Sequence, residues 1–189
     1  MEKLNLKNCL YHGIVDWNNY TCKFSNDDFC LSKLSSILKT RYILRPCDFR
    51  KNGITHGDVA NVYTHYFTFV ACHPDSEYAV RFKKDIEEDN GYMVATEYAN
   101  FGILLSPKII NELPIWNEPF CDKEIPVDAN ISLDQFGLGI YINSSYYTTK
   151  LYEQIKTLLN KYNYDFDVIR LNNKDKNIIS KAKEKVLKK

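Results

Sequence analysis

Seven short stretches of this chain have the character of β-strands, and no regular alternation with helices connects them. They are Leu10–Val15, Tyr42–Leu44, Val62–Cys72, Phe101–Leu105, Ile125–Val127 behind Glu124, Gly139–Ile142 and Phe166–Leu171. Each is rich in β-branched and aromatic residues or alternates apolar with polar ones. Helical spacing appears only in places. Leu31, Leu34, Ile37 and Leu38 predict a short amphipathic helix from Phe29 to Lys39. Leu151, Ile155, Leu158, Leu159 and Tyr162 mark the clearest helix, and Ile109, Ile110 and Leu113 a helical turn ending at Pro114. A doubly wound sheet needs a helix after each strand. This chain lacks that rhythm, so the expected class is α+β.

At 189 residues the chain has the length of one domain with a sizeable core. The domain is expected over residues 1–172, with a basic helix or tail over 173–189. From Lys174 onward seven lysines stand against Asp175 and Glu184, and Ile178, Ile179, Ala182 and Val186 fall at helical spacing. A basic helix of this kind can touch a phosphate backbone. Lysine without arginine or interleaved aromatics fits better with a solvated helix docked by a narrow apolar stripe. Asp16–Asp28 and Asp48–Ala60 read as loops. His73-Pro74-Asp75-Ser76 breaks a strand and opens a helix carrying Tyr78, Ala79, Phe82 and Ile86.

A net charge of +1 gives no global field toward nucleic acid or membrane. No apolar run approaches the roughly 18 residues of a membrane span, and the first residues form no signal-like apolar core. The six cysteines are scattered without a CxxC pair, as expected for reduced thiols in a cytoplasmic protein. The sequons at Asn19 and Asn143 are then incidental. Fourteen tyrosines and ten phenylalanines fit ligand or partner surfaces, and equally a codon bias that also enriches Asn, Lys and Ile.

Phosphate-cradling glycine loops, HExxH and GxSxG are all missing from the sequence. His65, Cys72 and His73 do not make a metal site, because adjacent ligands on an extended strand point to opposite faces. Cys72 reads as a structural thiol at a strand end in preference to a nucleophile.

The ends of the chain carry a different pattern. Leu10-Tyr11-His12-Gly13 is followed by a helix with Leu34-Ser35-Ser36-Ile37-Leu38-Lys39 that runs into Tyr42-Ile43-Leu44. Tyr66-Phe67-Thr68-Phe69-Val70 forms a central strand. Lys123-Glu124-Ile125-Pro126-Val127 precedes Ile131-Ser132-Leu133 and Gly139-Ile140-Tyr141-Ile142. From Leu10 to Ile142 this order resembles the ADP-ribosyltransferase superfamily, in its bacterial toxin and phage-defence flavour. The chain departs from the pattern where Thr40-Arg41 replaces the glycine after the first helix, and where the middle strand lacks a Ser-Thr-Ser.

The resemblance implies mainly antiparallel sheets flanked by short helices, NAD as substrate, and a protein or nucleic-acid acceptor. It implies catalytic roles for Glu124 and His12, and cofactor contacts from Tyr11, Gly13, Arg45, Tyr66 and Thr68. Cleavage of the nicotinamide–ribose bond develops positive charge on the ribose, which a carboxylate at Glu124 would stabilise. His12 would donate to the ribose as a neutral imidazole, Gly13 would allow close backbone approach, Tyr66 would stack on nicotinamide and Arg45 would fork onto pyrophosphate. Singly, these residues have plainer readings: a satisfied strand-end histidine, a surface carboxylate beside Lys123, a core tyrosine, and an arginine paired with a carboxylate. Their order along the chain is what joins them. Two alternatives stay open. One is RNA 2′-phosphotransferase chemistry on the same fold, using Arg41, Arg45 and Arg50. The other is a non-catalytic immunity, antitoxin or anti-defence module with a Tyr-rich binding surface.

Overall fold

The computed structural model describes residues 4–14, 27–51, 67–73, 76, 99–116 and 125–171. Over these residues the protein is mixed α+β, with one mainly antiparallel sheet and short helices, as expected. A 3-10 turn at Leu6–Asn8 leads into β1 (Leu10–Ile14). There follow α1 (Asp27–Thr40), β2 (Tyr42–Ile43), α2 (Pro46–Lys51), β3 (Thr68–Cys72) and β4 (Phe101–Leu105). The rest comprises α3 (Ile109–Glu112), β5 (Ile125–Val127), β6 (Ile131–Ser132), α4 (Leu133–Phe136), β7 (Gly137–Asn143), α5 (Thr149–Lys161) and β8 (Asp167–Leu171).

Six strands lie in the order β5-β3-β1-β4-β7-β8, and β2 with β6 forms a separate pair. The ladders are antiparallel except β7–β8, where α5 is the crossover between two parallel neighbours. β4 is buried along its whole length, with β1 on one side and β7 on the other. Alternation gives the sheet two faces. The larger core joins Leu10, Ile14, Val70, Ile103, Leu105, Ile140 and Ile142 to Leu34, Ile37 and Leu38 of α1 and Leu151, Ile155 and Leu159 of α5. A smaller cluster on the other face contains Cys9, Tyr11, Ala71, Leu104, Tyr141 and Leu171. There Tyr11 and Tyr141 meet edge to face at 5.6 Å. Gly102 lies under Tyr141: a Cβ at this position would come within 2.5 Å of the phenol oxygen, so only glycine permits the approach.

The expected loop at Asp48–Ala60 begins helical, because α2 continues to Lys51. Pro46 occupies its first position, where a missing N–H costs nothing. Asp27 and Asp28, assigned above to a loop, open α1. The remainder of both loops, the helix carrying Tyr78 and the basic segment 173–189 lie outside the described residues. No described helix is long and apolar enough to cross a membrane.

Both principal helices end on a residue in the left-handed region. Asn163 (φ 59°) closes α5, with the Tyr164 N–H returning to the Leu159 carbonyl at 2.9 Å. Arg41 (φ 63°) closes α1, at the point where the resembled family has glycine. Compensation comes from its side chain and its carbonyl. The guanidinium donates to both oxygens of Asp134 (2.6 and 2.5 Å) and lies 4.9 Å over the Tyr164 ring, while the Leu133 N–H donates to the Arg41 carbonyl at 2.9 Å. Arg41 therefore ties the end of α1 to α4. Arg41→Ala keeps the backbone strain and loses the ion pair, whereas Arg41→Gly loses the pair but relieves the strain. Thermal melting should place Arg41→Gly above Arg41→Ala; the reverse order would refute this account of the turn.

Candidate functional site

His12 sits in the middle of the central strand, between Leu10 and Ile14 on the helix-covered face. Its cross-strand row is otherwise apolar. His12 pairs with Ile103, Ile103 with Ile140, and Ile140 with Val168. Half-buried, the imidazole is satisfied through Nδ1, which meets the Phe69 carbonyl at 2.9 Å. A carbonyl only accepts, so Nδ1 carries the proton and the neutral ring keeps its lone pair on Nε2. Burial lowers the pKa of His12 below its ordinary 6.5; the Phe69 bond opposes this, and the charge of Lys33 on α1 adds to it.

The Phe69 carbonyl is available to His12 because of the strands around it. β1 pairs fully with β4, from Leu10↔Leu105 to Ile14↔Phe101. With β3 it makes only Leu10↔Cys72 and Tyr11↔Ala71. Extending that register by two residues would set Gly13 opposite Phe69, but the ladder ends first. On its other side Phe69 lies opposite Pro126, whose carbonyl faces away toward Trp116, so the two form a non-hydrogen-bonded pair and the Phe69 carbonyl is directed at β1. The imidazole thus stands in for a missing backbone donor.

β5 is the edge strand beyond β3, and Pro126 is tolerated there for that reason. The segment Pro114–Trp116 runs beside it: the Trp116 N–H donates to the Pro126 carbonyl at 3.0 Å, and the Asp128 N–H to Pro114 at 2.9 Å. The first residue of β5, Ile125, lies opposite Val70, and the β1–β3 register carried on by one residue sets Val70 level with His12. The start of β5 is therefore level with the histidine, two strand spacings or about 10 Å away. Phe67 packs against Trp116 (ring centroids 5.6 Å apart) and Phe69 (6.4 Å), and Trp116 is 40% exposed. Phe69 alternates with Val70 and shares the face of Ala71 and Tyr11, so this aromatic surface lies across the sheet from His12.

The residues expected to form a site fare differently. Glu124 and Tyr66 lie outside the described residues. Gly13 adjoins His12 and pairs with Gly102. Tyr11 points to the opposite face, is 1% exposed and donates its hydroxyl to the Leu6 carbonyl at 2.7 Å. Its side chain serves the smaller core, away from His12. Thr68 is buried and donates to the Ala129 carbonyl at 2.9 Å, fixing the turn after β5. Arg45 bridges Asp48 and Asp128, each at 3.0 Å, while its backbone N–H donates to Asn130 at 2.7 Å. These two carboxylates take two of the five N–H donors of its guanidinium.

Sequence reasoning missed Phe69, whose main chain orients the histidine. It carried no readable signal, because the role belongs to its backbone. Of the described cysteines, Cys9, Cys30, Cys47 and Cys72, none is in a disulfide. Cys72 is a buried core residue, and burial pushes the Cys9 thiol up to about 11, an unreactive value. No group of three or more His, Cys, Asp or Glu side chains suited to a metal occurs among the described residues. No known family model matches the chain, and no curated protein matches it significantly.

A lowered native pKa for His12 means that the unfolded chain binds the proton more readily. The stability this residue contributes is complete above about pH 6.5 and declines as the pH falls from there through the native value. An NMR titration should place the His12 midpoint below that of an unstructured histidine. His12→Ala, which strands the Phe69 carbonyl, should cost about 1–3 kcal/mol at neutral pH and flatten the stability profile below pH 6.5. A midpoint at or above the ordinary value would contradict the assignment.

Proposed function

We propose that this chain is a mono-ADP-ribosyltransferase that cleaves the nicotinamide–ribose bond of NAD and transfers ADP-ribose to a protein or nucleic-acid acceptor. The observation that carries the reading is the register around His12: a histidine with an oriented lone pair, level with the start of the strand that Glu124 precedes in sequence. The sequence resemblance to ADP-ribosyltransferases calls for a strand ending in His-Gly and a glutamate opening a later motif; His12 stands instead within β1, and Glu124 precedes β5 in sequence.

In this reading the C1′–N bond breaks with its electron pair leaving on nicotinamide, and positive charge develops on the ribose. Glu124 stabilises that charge and orients the acceptor, whose nucleophilic atom bonds to C1′ as the Glu124 carboxylate takes its proton. The role of His12 differs from the sequence expectation. Its Nδ1–H is held by Phe69, so Nε2 accepts a hydrogen bond from a ribose hydroxyl where a donor was expected. Gly13 lets the dinucleotide approach the main chain. Tyr11, Thr68 and Arg45 support the fold around the site, and Tyr66 remains the candidate to stack on nicotinamide. Of the arginines named for the 2′-phosphotransferase alternative, Arg41 is paired with Asp134 and Arg45 with Asp48 and Asp128.

The test is consumption of NAD by purified protein, with calorimetry for binding. Glu124→Gln should lower turnover by at least about a hundredfold while leaving NAD affinity and stability near those of the wild type. Neither consumption nor binding of NAD by the wild type would sink the proposal.

A further inference from the structure

Beyond this chemistry, a groove of about 560 Å³ runs between α1 and α5 on the outer side of the helix layer. Leu31 and Leu158 give it an apolar lining, Ser32, Ser35 and Thr157 a polar one, and Asp28 and Lys150 stand at one end. At the other end Ser35 and Tyr162 hydrogen-bond at 2.8 Å, joining the helices. With Asp28 and Glu153 against Lys150, the lining carries a net charge of −1. We propose that this groove is the docking site for the chain's own basic segment, Lys174–Lys189.

Three observations converge on that occupant. The first is position. β8 ends at Leu171, paired with Asn143 at the end of β7; the Asn143 N–H donates to Asn100, and Asn100 donates to Asp27 at the start of α1. α5 starts at Thr149, shortly after β7. The chain thus leaves the described residues at the end of the molecule where Asp28 and Lys150 open the groove. A stretch of six residues can span at most about 20 Å. That is enough to cross two strand spacings of about 4.8 Å and a helix diameter of about 10 Å. The second is length and pattern. Ile178, Ile179, Ala182 and Val186 repeat at helical spacing. At about 1.5 Å per residue, Ile178 to Val186 spans about 12 Å, as does Lys150 to Leu158 along the groove. The third is charge. Seven lysines against Asp175 and Glu184 give the segment +5, opposite in sign to the lining.

Limited trypsin digestion of the full chain at low ionic strength, with release of the lysine-rich segment followed by mass, tests this. Wild type is compared with Ile178→Asp/Ile179→Asp, which removes the stripe, and with Glu153→Lys and Thr157→Trp, which alter the groove's charge and space at exposed positions. Release should be about tenfold slower from the wild type than from all three variants, since cleavage follows the undocked population. Equal rates in all four chains would overturn the proposal. Protection lost in the stripe variant but retained in both groove variants would put the segment elsewhere and overturn it. Protection that grows with protein concentration would identify a second copy as the source of the segment, and overturn docking within one chain.

Discussion

The sheet is organised by the unequal pairing of its central strand. β1 pairs over all five of its residues with β4 and over only two with β3. The full side anchors the core, because β4 is buried throughout and carries β7 on its far edge. The short side leaves the Phe69 carbonyl facing β1 beyond the end of the β1–β3 ladder, with no backbone donor from that ladder. A polar group is then required in an apolar row, and His12 supplies it. The same bond that completes the sheet fixes the tautomer of the imidazole. Structure and candidate chemistry therefore meet in one hydrogen bond.

Most of the fold was legible in the sequence, for local reasons. α5 is plain from Leu151, Ile155 and Leu159, which recur on one helical face and are all buried. β4 is a continuous apolar run bounded by Ser106-Pro107, as a strand buried on both faces should be. What stayed hidden depends on partners distant in sequence. Nothing near Arg41 announces that Asp134 will hold it in a glycine conformation. Nor does anything near Arg45 announce Asp128. The parallel β7–β8 pair was missed because one βαβ unit at the end of a chain sets no rhythm.

Of the candidate site, the strand position of His12 and Gly13 was legible, and the roles of the residues around them were not. His12 and Gly13 read correctly as a strand element, but alternation sends Tyr11 to the opposite face, where its hydroxyl finds Leu6. Thr68 and Arg45 serve the turns around β5. These residues shape the edge beside the site, and the proposed chemistry is concentrated on His12 and Glu124.

The central claim is that Nε2 of His12 is an acceptor directed at substrate while Nδ1–H remains on Phe69. Nitrogen NMR of the His12 ring during titration with NAD tests it most directly. The account predicts a neutral ring protonated at Nδ1 in the free protein, and a shift of Nε2 with saturating NAD while Nδ1 stays unchanged. A ring protonated at Nε2, or an Nε2 signal indifferent to bound NAD, would contradict it.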